Sequence, residues 1–322
     1  MKEITLGRTG IVTTAAGLGA GGFSRLGLEK YGEDHAADVV RRAFDLGVRF
    51  FDTAAVYGTE TAVGRGLSGF DRESYTISTK FPLKDGWREN PAHRFTQTLD
   101  SSLRALNTEY IDVYNLHGVL PEDYADARDL LVPEMLKAQQ AGKIRFLGVT
   151  EGFEHDTAHK MLDIALEDDI FDVIMVGYNI MNPSAAKTVF PRALKHNLGV
   201  LCMFAVRQSL RNPAEMKADI LQILQNNQGG PGLEADETAL DFLTGLDKSG
   251  APIAASIVDA AYRFCANKDE IHVVLTGTGN PVHLENNLRS IEANPLPPEI
   301  LERLETLFGR SNCVSGEQKP WW

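Results

Sequence analysis

The sequence predicts an α/β protein. It would be a closed (β/α)8 barrel (a TIM barrel) with an N-terminal β-hairpin before it and a long insertion after its seventh strand. Three observations lead there. Eight short apolar runs recur along the 322 residues, each followed by a stretch of helical character. Most of these runs are nearly continuous in apolar residues, the pattern of parallel strands buried on both faces. An open sheet of that width would be unusual, whereas a barrel closes it without edges. No Pro/Gly linker or shift in composition interrupts the middle of the chain, so a length suggesting about two domains is read as one domain over 1–322.

Along the chain, residues 1–14 read as the hairpin, turning at Thr9-Gly10. The barrel strands are expected at 15–18, 49–53, 75–80, 111–117, 146–150, 173–179, 200–205 and 271–277. Helices are expected at 33–46, 92–106, 130–141, 156–166, 185–196, 253–266 and 282–293. In the first helix Ala37, Val40, Ala43 and Phe44 follow a helical period, and His35, Asp38, Arg41 and Arg42 fill the other face. The insertion, about 206–252, holds a helix at 213–225, a break at Gly229-Gly230-Pro231-Gly232 and a short helix near 237–243. So long a connection on the face where barrels do chemistry is expected to be functional and to lie over a bound cofactor. A tail at about 309–322 ends in Trp321-Trp322, which is expected to fold back as a lid.

Composition excludes several classes of function. With 43% hydrophobic residues the chain has ample material for a core. A formal charge of −12 argues against a nucleic-acid partner, which needs a basic face. No run approaches about 18 uncharged apolar residues, so no membrane partner is expected. MKEITLGRTG is too polar for a signal peptide, and cytoplasmic residence is the expectation. Cys202, Cys265 and Cys313 are odd in number and widely spaced, implying neither a disulfide framework nor a metal site.

In a barrel, chemistry gathers at the carboxyl ends of the strands. Strand two ends at Asp52 and runs on to Tyr57, strand three ends at Lys80, and strand four ends at His117. A carboxylate, a phenol, an ammonium and an imidazole are thus delivered to one rim. The Lys80 ammonium is expected to lower the Tyr57 pKa, with Asp52 keeping Lys80 charged. A neutral His117 would align a carbonyl oxygen with Tyr57, which would pass it a proton as general acid, or remove one as base in the oxidative direction. Side chains supply no hydride, so a cofactor is required.

The segments Gly47–Gly58 and Thr79-Lys80, then Ile111–Gly118 and Gly142–Thr150, make the chain resemble the aldo-keto reductase family. The likeness runs from about Leu6 to Leu288. It implies that Asp52, Tyr57, Lys80 and His117 are the family's catalytic tetrad. It also implies an NAD(P)H-dependent oxidoreductase interconverting an aldehyde, ketone or sugar with an alcohol. In the family the turn after strand eight holds the adenosine end of the cofactor, here Gly277, Thr278, Gly279, Asn280, His283, Asn286 and Asn287. That turn is also a ready anion site in its own right, with Asn280 as N-cap and Pro281 at the first helical position.

NADP(H) is favoured and NAD(H) is the alternative, because this loop has no Lys or Arg between Thr276 and Asn287 and shows His283 where Arg is common. At the nicotinamide end, Thr150-Glu151 stands where the family has Ser-Asn, and Met175 where it has Gln. Glu151 is expected to accept from the carboxamide. Phe204 would stack on the nicotinamide ring, with Ala205 and Arg207 running along the pyrophosphate. Gly17–Gly22 satisfies GxGxxG, but no capped helix follows within reach. It reads instead as strand one opening onto the site, with Gly21 and Gly22 on the cofactor and Phe23 on the floor. Phe23, Tyr57, Trp87 and His117 are the expected substrate contacts, and Val119, Leu120 and the tail would wall the pocket. Arg25, Lys30, Lys84 and Arg88 are candidates for reading a substrate anion. His155 and His159 read as a solvated helix face.

Two other functions compete. One is a lyase using Lys80 as a Schiff base, which the Asp-Tyr-Lys-His order disfavours. The other is a catalytically weak nucleotide-sensing binding protein, such as the potassium-channel beta subunits of the family it resembles, suggested by Glu151 and Met175. The expected partner is a small carbonyl or alcohol, and the expected assembly a monomer or small homo-oligomer.

Overall fold

The computed structural model describes residues 1–84 and 86–317. Lys319-Pro320-Trp321-Trp322, and with them the predicted lid, lie outside the described residues. The chain opens with β1 (Glu3–Thr5) and β2 (Val12–Thr14), an antiparallel pair joined by a 3-10 turn that Gly10 ends at φ +68°. It continues through β3 (Ala16–Gly19), α1 (Leu28–Asp45), β4 (Phe50–Asp52), α2 (Glu60–Leu67), β5 (Thr76–Pro82), α3 (Pro91–Leu106), β6 (Ile111–Val119), α4 (Pro121–Gln140) and β7 (Ile144–Glu151). Then come α5 (Lys160–Asp168), β8 (Val173–Gly177), α6 (Ala185–Thr188), α7 (Phe190–Lys195), β9 (Gly199–Met203), α8 (Pro213–Gln225), α9 (Ile257–Ala266), β10 (Val273–Thr276), α10 (Pro281–Glu292) and α11 (Pro298–Phe308).

Strands β3 to β10 pair in parallel, and β10 closes on β3 to complete an eight-stranded barrel, the predicted fold class. Among the described residues no helix is long and apolar enough to cross a membrane. The barrel interior is filled by Phe50, Val113, Val173, Leu201 and Val273, over which the hairpin's Leu6 and Ile11 pack from one end. The larger core lies between strands and helices, as layered α/β packing requires.

Several helix limits differ from expectation for local reasons. In α1, Gly32 leaves helical geometry, so regular helix resumes at Glu33, the predicted start. Ser256 caps α9 by accepting from the Asp259 amide, which sets its start four residues later than predicted. The predicted 185–196 helix is two, because Pro191 follows Val189 and Phe190 at the junction. Helices α2 and α11 were not foreseen. Gly64 lowers the propensity of α2, yet a Cβ there would meet the Leu106 carbonyl oxygen at 2.6 Å.

The insertion corrects an expectation. Its helix 213–225 forms as predicted, but Met216, Ile220, Ile223, Leu240 and Leu243 pack with Leu304, Leu307 and Phe308 of α11 in a second apolar cluster beside the barrel. That apolar surface holds the insertion against α11. Among the described residues only Val206, Arg207, Gln208 and Arg211 of it reach the cavity described below.

Candidate active site

The ends of the strands frame a cavity of about 600 Å³ whose floor includes Asp52, Tyr57 and His117. Asp52 ends β4 and Lys80 lies within β5, and β4 and β5 are register neighbours. This brings the two side chains together with both buried. Lys80 Nζ donates to both Asp52 oxygens, each at 2.7 Å, and to the Thr53 carbonyl at 2.6 Å. All three ammonium protons are engaged, so Lys80 is a fixed cation with no lone pair to offer a carbonyl. The Schiff-base alternative is left without its nucleophile. Ser78 Oγ donates to Asp52 Oδ1 at 2.8 Å and accepts from Asn115 Nδ2 at 3.0 Å.

The Tyr57 hydroxyl and His117 Nε2 share a hydrogen bond of 3.2 Å. Burial, with help from Lys80 and Lys84, pushes the His117 pKa well below its usual value, so the ring is neutral. The expected lowering of the Tyr57 pKa is overturned. Burial raises it, Asp52 and Glu154 add to the rise, and Arg207 opposes them. Lys80 fails to lower it because its charge is spent on Asp52 and it faces the ring, 5.1 Å from the centroid. The phenol is therefore held protonated, as a proton donor must be. Gly21 fixes the ring from the other side: a Cβ there would meet Tyr57 Cε2 at 2.6 Å.

Phe204 lines the cavity in left-handed backbone geometry, φ +63°, uncommon for an aromatic residue. Its ring meets Phe153 edge-on, with centroids 5.3 Å apart. The Arg207 guanidinium covers a face of that ring, 3.7 Å from the centroid.

Glu151 does not present a carboxylate to the cavity. Its oxygens take His159 Nδ1 at 2.9 and 3.0 Å, and Oε1 also accepts the Gly177 amide at 2.7 Å. The carboxamide contact expected of it is pre-empted by this buried pairing. Among the described groups, Thr150 Oγ1 accepts the Gly118 amide. His159 is no solvated helix face either: it is fully buried, at the N-terminal boundary of α5, stacked on Phe153. His155 is exposed, as expected. Ser184 Oγ donates to Asn182 and so accepts from His159 Nε2 at 3.0 Å. One proton is then shared between His159 Nδ1 and Glu151, and the pair is neutral as a whole.

Phe23 and Leu120 line the cavity, whereas Trp87 does not. Trp87 is 5% exposed within the main core, with Arg88 over its ring. The substrate role expected of Trp87 is corrected accordingly. Val119 is likewise buried away. Arg88 is bound to Asp123 and Asp126 and stands outside the lining, which removes it from the anion-reading candidates, whereas Arg25, paired with Glu29, and Lys84 line the cavity.

After β10 the lining ends at Gly277. Asn280 accepts from the Val282 amide, the predicted N-cap, and Thr278 Oγ1 accepts from the Asn280 amide. Gly279 rests on the Gly27 backbone, and its carbonyl bonds His35 at 2.7 Å. Asn280, His283 and Asn286 are exposed around the start of α10, while Asn287 bonds Thr276 at 2.9 Å. Glu154 and Glu317, which the sequence reading passed over, also line the cavity. Glu154 carries a signal in its position, four residues beyond the expected end of strand five; Glu317 carries none.

A sequence model of the Aldo/keto reductase family matches residues 16–308. L-galactose dehydrogenase of Arabidopsis thaliana is 26% identical over 316 residues, 94% of this chain and 93% of that protein. A putative voltage-gated potassium channel subunit beta of Schizosaccharomyces pombe is 24% identical, over 94% of this chain and 92% of that one. Among solved structures, the holo form of aldo-keto reductase AKR11C1 from Bacillus halodurans superposes with a TM-score of 0.70 at 22% identity, covering 99% of both chains.

Proposed function

The chain belongs to the aldo/keto reductase family, and from that premise we propose that it interconverts a carbonyl compound and an alcohol with Tyr57 as general acid and base. The observation that carries this reading is a protonated, buried phenol hydrogen-bonded to a neutral imidazole beside a saturated Lys80–Asp52 pair. When bound, a reduced nicotinamide supplies the hydride. The residues fit it. Phe204 offers a ring face at the cavity, and Arg207 keeps a buried Nε without a partner among the described residues. Asn280 and His283 stand exposed at a helix N-terminus suited to a phosphate. Gly21, Gly22, Thr150, Met175 and Ala205 would border the nicotinamide half, and Gly277, Thr278, Gly279, Asn286 and Asn287 the adenosine half.

The chain's own residues then do the proton chemistry. His117 Nε2–H orients the carbonyl oxygen, and the Tyr57 hydroxyl delivers its proton as negative charge develops there. The Arg207 guanidinium, whose charge favours the ionised phenol, steadies the phenolate that remains. Reversal makes that phenolate the base for alcohol oxidation.

NADP(H) is preferred in this reading, with NAD(H) as the alternative. Cytoplasmic residence and a monomer or small homo-oligomer complete it. Absorbance at 340 nm with each nucleotide and a panel of aldehydes tests it. Tyr57→Phe should cut kcat by about 10²- to 10⁴-fold while nucleotide binding, followed by intrinsic fluorescence, persists. Unchanged turnover in that variant overturns the mechanism. The sensing alternative predicts nucleotide binding with negligible turnover in the wild type.

A further inference from the structure

Behind the Phe204 ring stands a column of aromatic side chains that the proton chemistry does not use. Phe153 lies two residues beyond the end of β7 and is 1% exposed in the cavity wall. Its ring stacks on the His159 imidazole, with centroids 5.4 Å apart and planes 14° from parallel. It also meets Phe204, at 5.3 Å and 75°. A third neighbour is the end of β8, where a Cβ on Gly177 would overlap the Phe153 ring. Glu151 ties two of these neighbours together, since its carboxylate accepts from both His159 Nδ1 and the Gly177 amide. The turn that carries Phe153 is anchored as well. The Gly152 amide donates to the Val119 carbonyl at 3.1 Å, and the His155 and Asp156 amides close back on the Gly152 carbonyl. Phe153 is therefore wedged among fixed neighbours, as a close-packed interior requires.

Phe204 has less to hold it. Its backbone is left-handed at φ +63°, a conformation that an aromatic residue keeps only where its surroundings impose it. Phe153 meets its ring edge-on, and the Arg207 guanidinium lies 3.7 Å from its centroid. The ends of β7 and β8 offer a planar ligand few hydrogen bonds beside that ring. Glu151 is taken, Met175 has no donor, and Thr150 Oγ1 already accepts the Gly118 amide. Contact of ring with ring is left to orient it.

We propose that Phe153 is a positioning residue: wedged between His159, Gly177 and Phe204, it holds the Phe204 ring where a reduced nicotinamide would stack on it. The inference rests on the proposed reductase reading and gives the buried Glu151–His159 pair a part in it, exerted through two rings. Loss of the Phe153 ring should leave Phe204 free to turn and cost the nicotinamide end of the nucleotide its contact. The adenosine end, beyond Gly277, should be unaffected.

Calorimetric titration with NADPH and with 2′-phospho-ADP-ribose, which lacks the nicotinamide, tests this; NADH and ADP-ribose serve if NAD(H) binds more tightly. Phe153→Leu should weaken NADPH about three- to tenfold, the scale of an aromatic pair, and leave the fragment within about twofold. If Phe153→Leu does not fold, Phe153→Met, which fills the space with a flexible chain, carries the same expectation. In a Phe204→Leu background the same substitution should change NADPH affinity by less than about twofold, because the ring it acts through is gone. Equal weakening of nucleotide and fragment overturns the proposal. So does an unchanged NADPH affinity, or a full effect that persists without Phe204. If neither nucleotide binds the wild type, the reductase reading fails and the proposal with it. If the wild type binds NADPH and the variant shows no difference between nucleotide and fragment, the proposal alone fails.

Discussion

Two buried acid–base pairs stand at the mouth of this barrel, and they solve the same problem in different ways. Asp52 ends β4 and is bound to Lys80 on the neighbouring strand, while Glu151 ends β7 and is bound to His159 at the start of α5. In the first pair the ammonium is saturated by three acceptors, and Ser78 and Asn115 brace the carboxylate from behind. The second pair shares one titratable proton, with the Gly177 amide and Ser184 at its two ends. The difference shows what each pair can do. A fully satisfied Lys–Asp pair is a fixed field under the phenol. A Glu–His pair can lose its proton within an ordinary pH range, and here it braces the loop bearing Phe153 and Glu154.

Breaking the first pair should give the largest effect. Lys80→Met leaves Asp52 buried without its partner and is expected to cost about 3–5 kcal/mol of stability, read by denaturant unfolding. Turnover should fall with it. In the double variant Asp52→Asn/Lys80→Met much of the stability should return while turnover stays lost. Recovery of turnover would show that the pair is only structural.

The second pair should cost less, because Glu151 can protonate when His159 is removed. His159→Asn is expected to lower stability by about 1–3 kcal/mol. Its sign with pH also follows. The His159 pKa is raised by the Glu151 carboxylate against the opposing pull of burial, and burial raises Glu151 itself. The folded state therefore holds a proton that the unfolded chain releases above about pH 6.5. The stability this proton contributes is fully present below that value and is lost as pH rises through the raised His159 value. The difference in Tm between wild type and the non-titrating double variant Glu151→Gln/His159→Asn should accordingly narrow from about pH 6 to about pH 9. A constant or widening gap would contradict the shared proton.

The smallest effect is a control away from both pairs. Asn280→Ala removes the cap of α10 and should cost about 1 kcal/mol, measured by the same unfolding curve, with kcat unchanged and nucleotide affinity weakened.

The first pair was legible in the sequence because its members end or sit within adjacent strands, and strand ends can be counted from apolar runs. The second was not. Glu151 was assigned outward to a carboxamide and His159 to a solvated face, since the i, i+4 spacing of His155 and His159 suggested one helix. In the structure α5 begins only at Lys160, which leaves His159 in left-handed geometry, φ +62°, and turns its ring inward. Trp87 failed as a substrate contact for a similar reason, because whether a loop aromatic faces the core or the cavity is a packing outcome.

By itself the sequence determined the barrel, its eight strands, and the meeting of Asp52, Tyr57, Lys80 and His117 at one rim. All of these follow from local periodicity and from which residues end a strand, which chain geometry fixes. Tertiary structure decided the rest. It turned the insertion onto α11, closed Glu151 against His159, raised rather than lowered the Tyr57 pKa, and brought Glu154, Arg207 and Glu317 to one wall. Each of these depends on burial and on partners far apart in the chain, which set a side chain's charge and direction without leaving a mark on its neighbours in sequence.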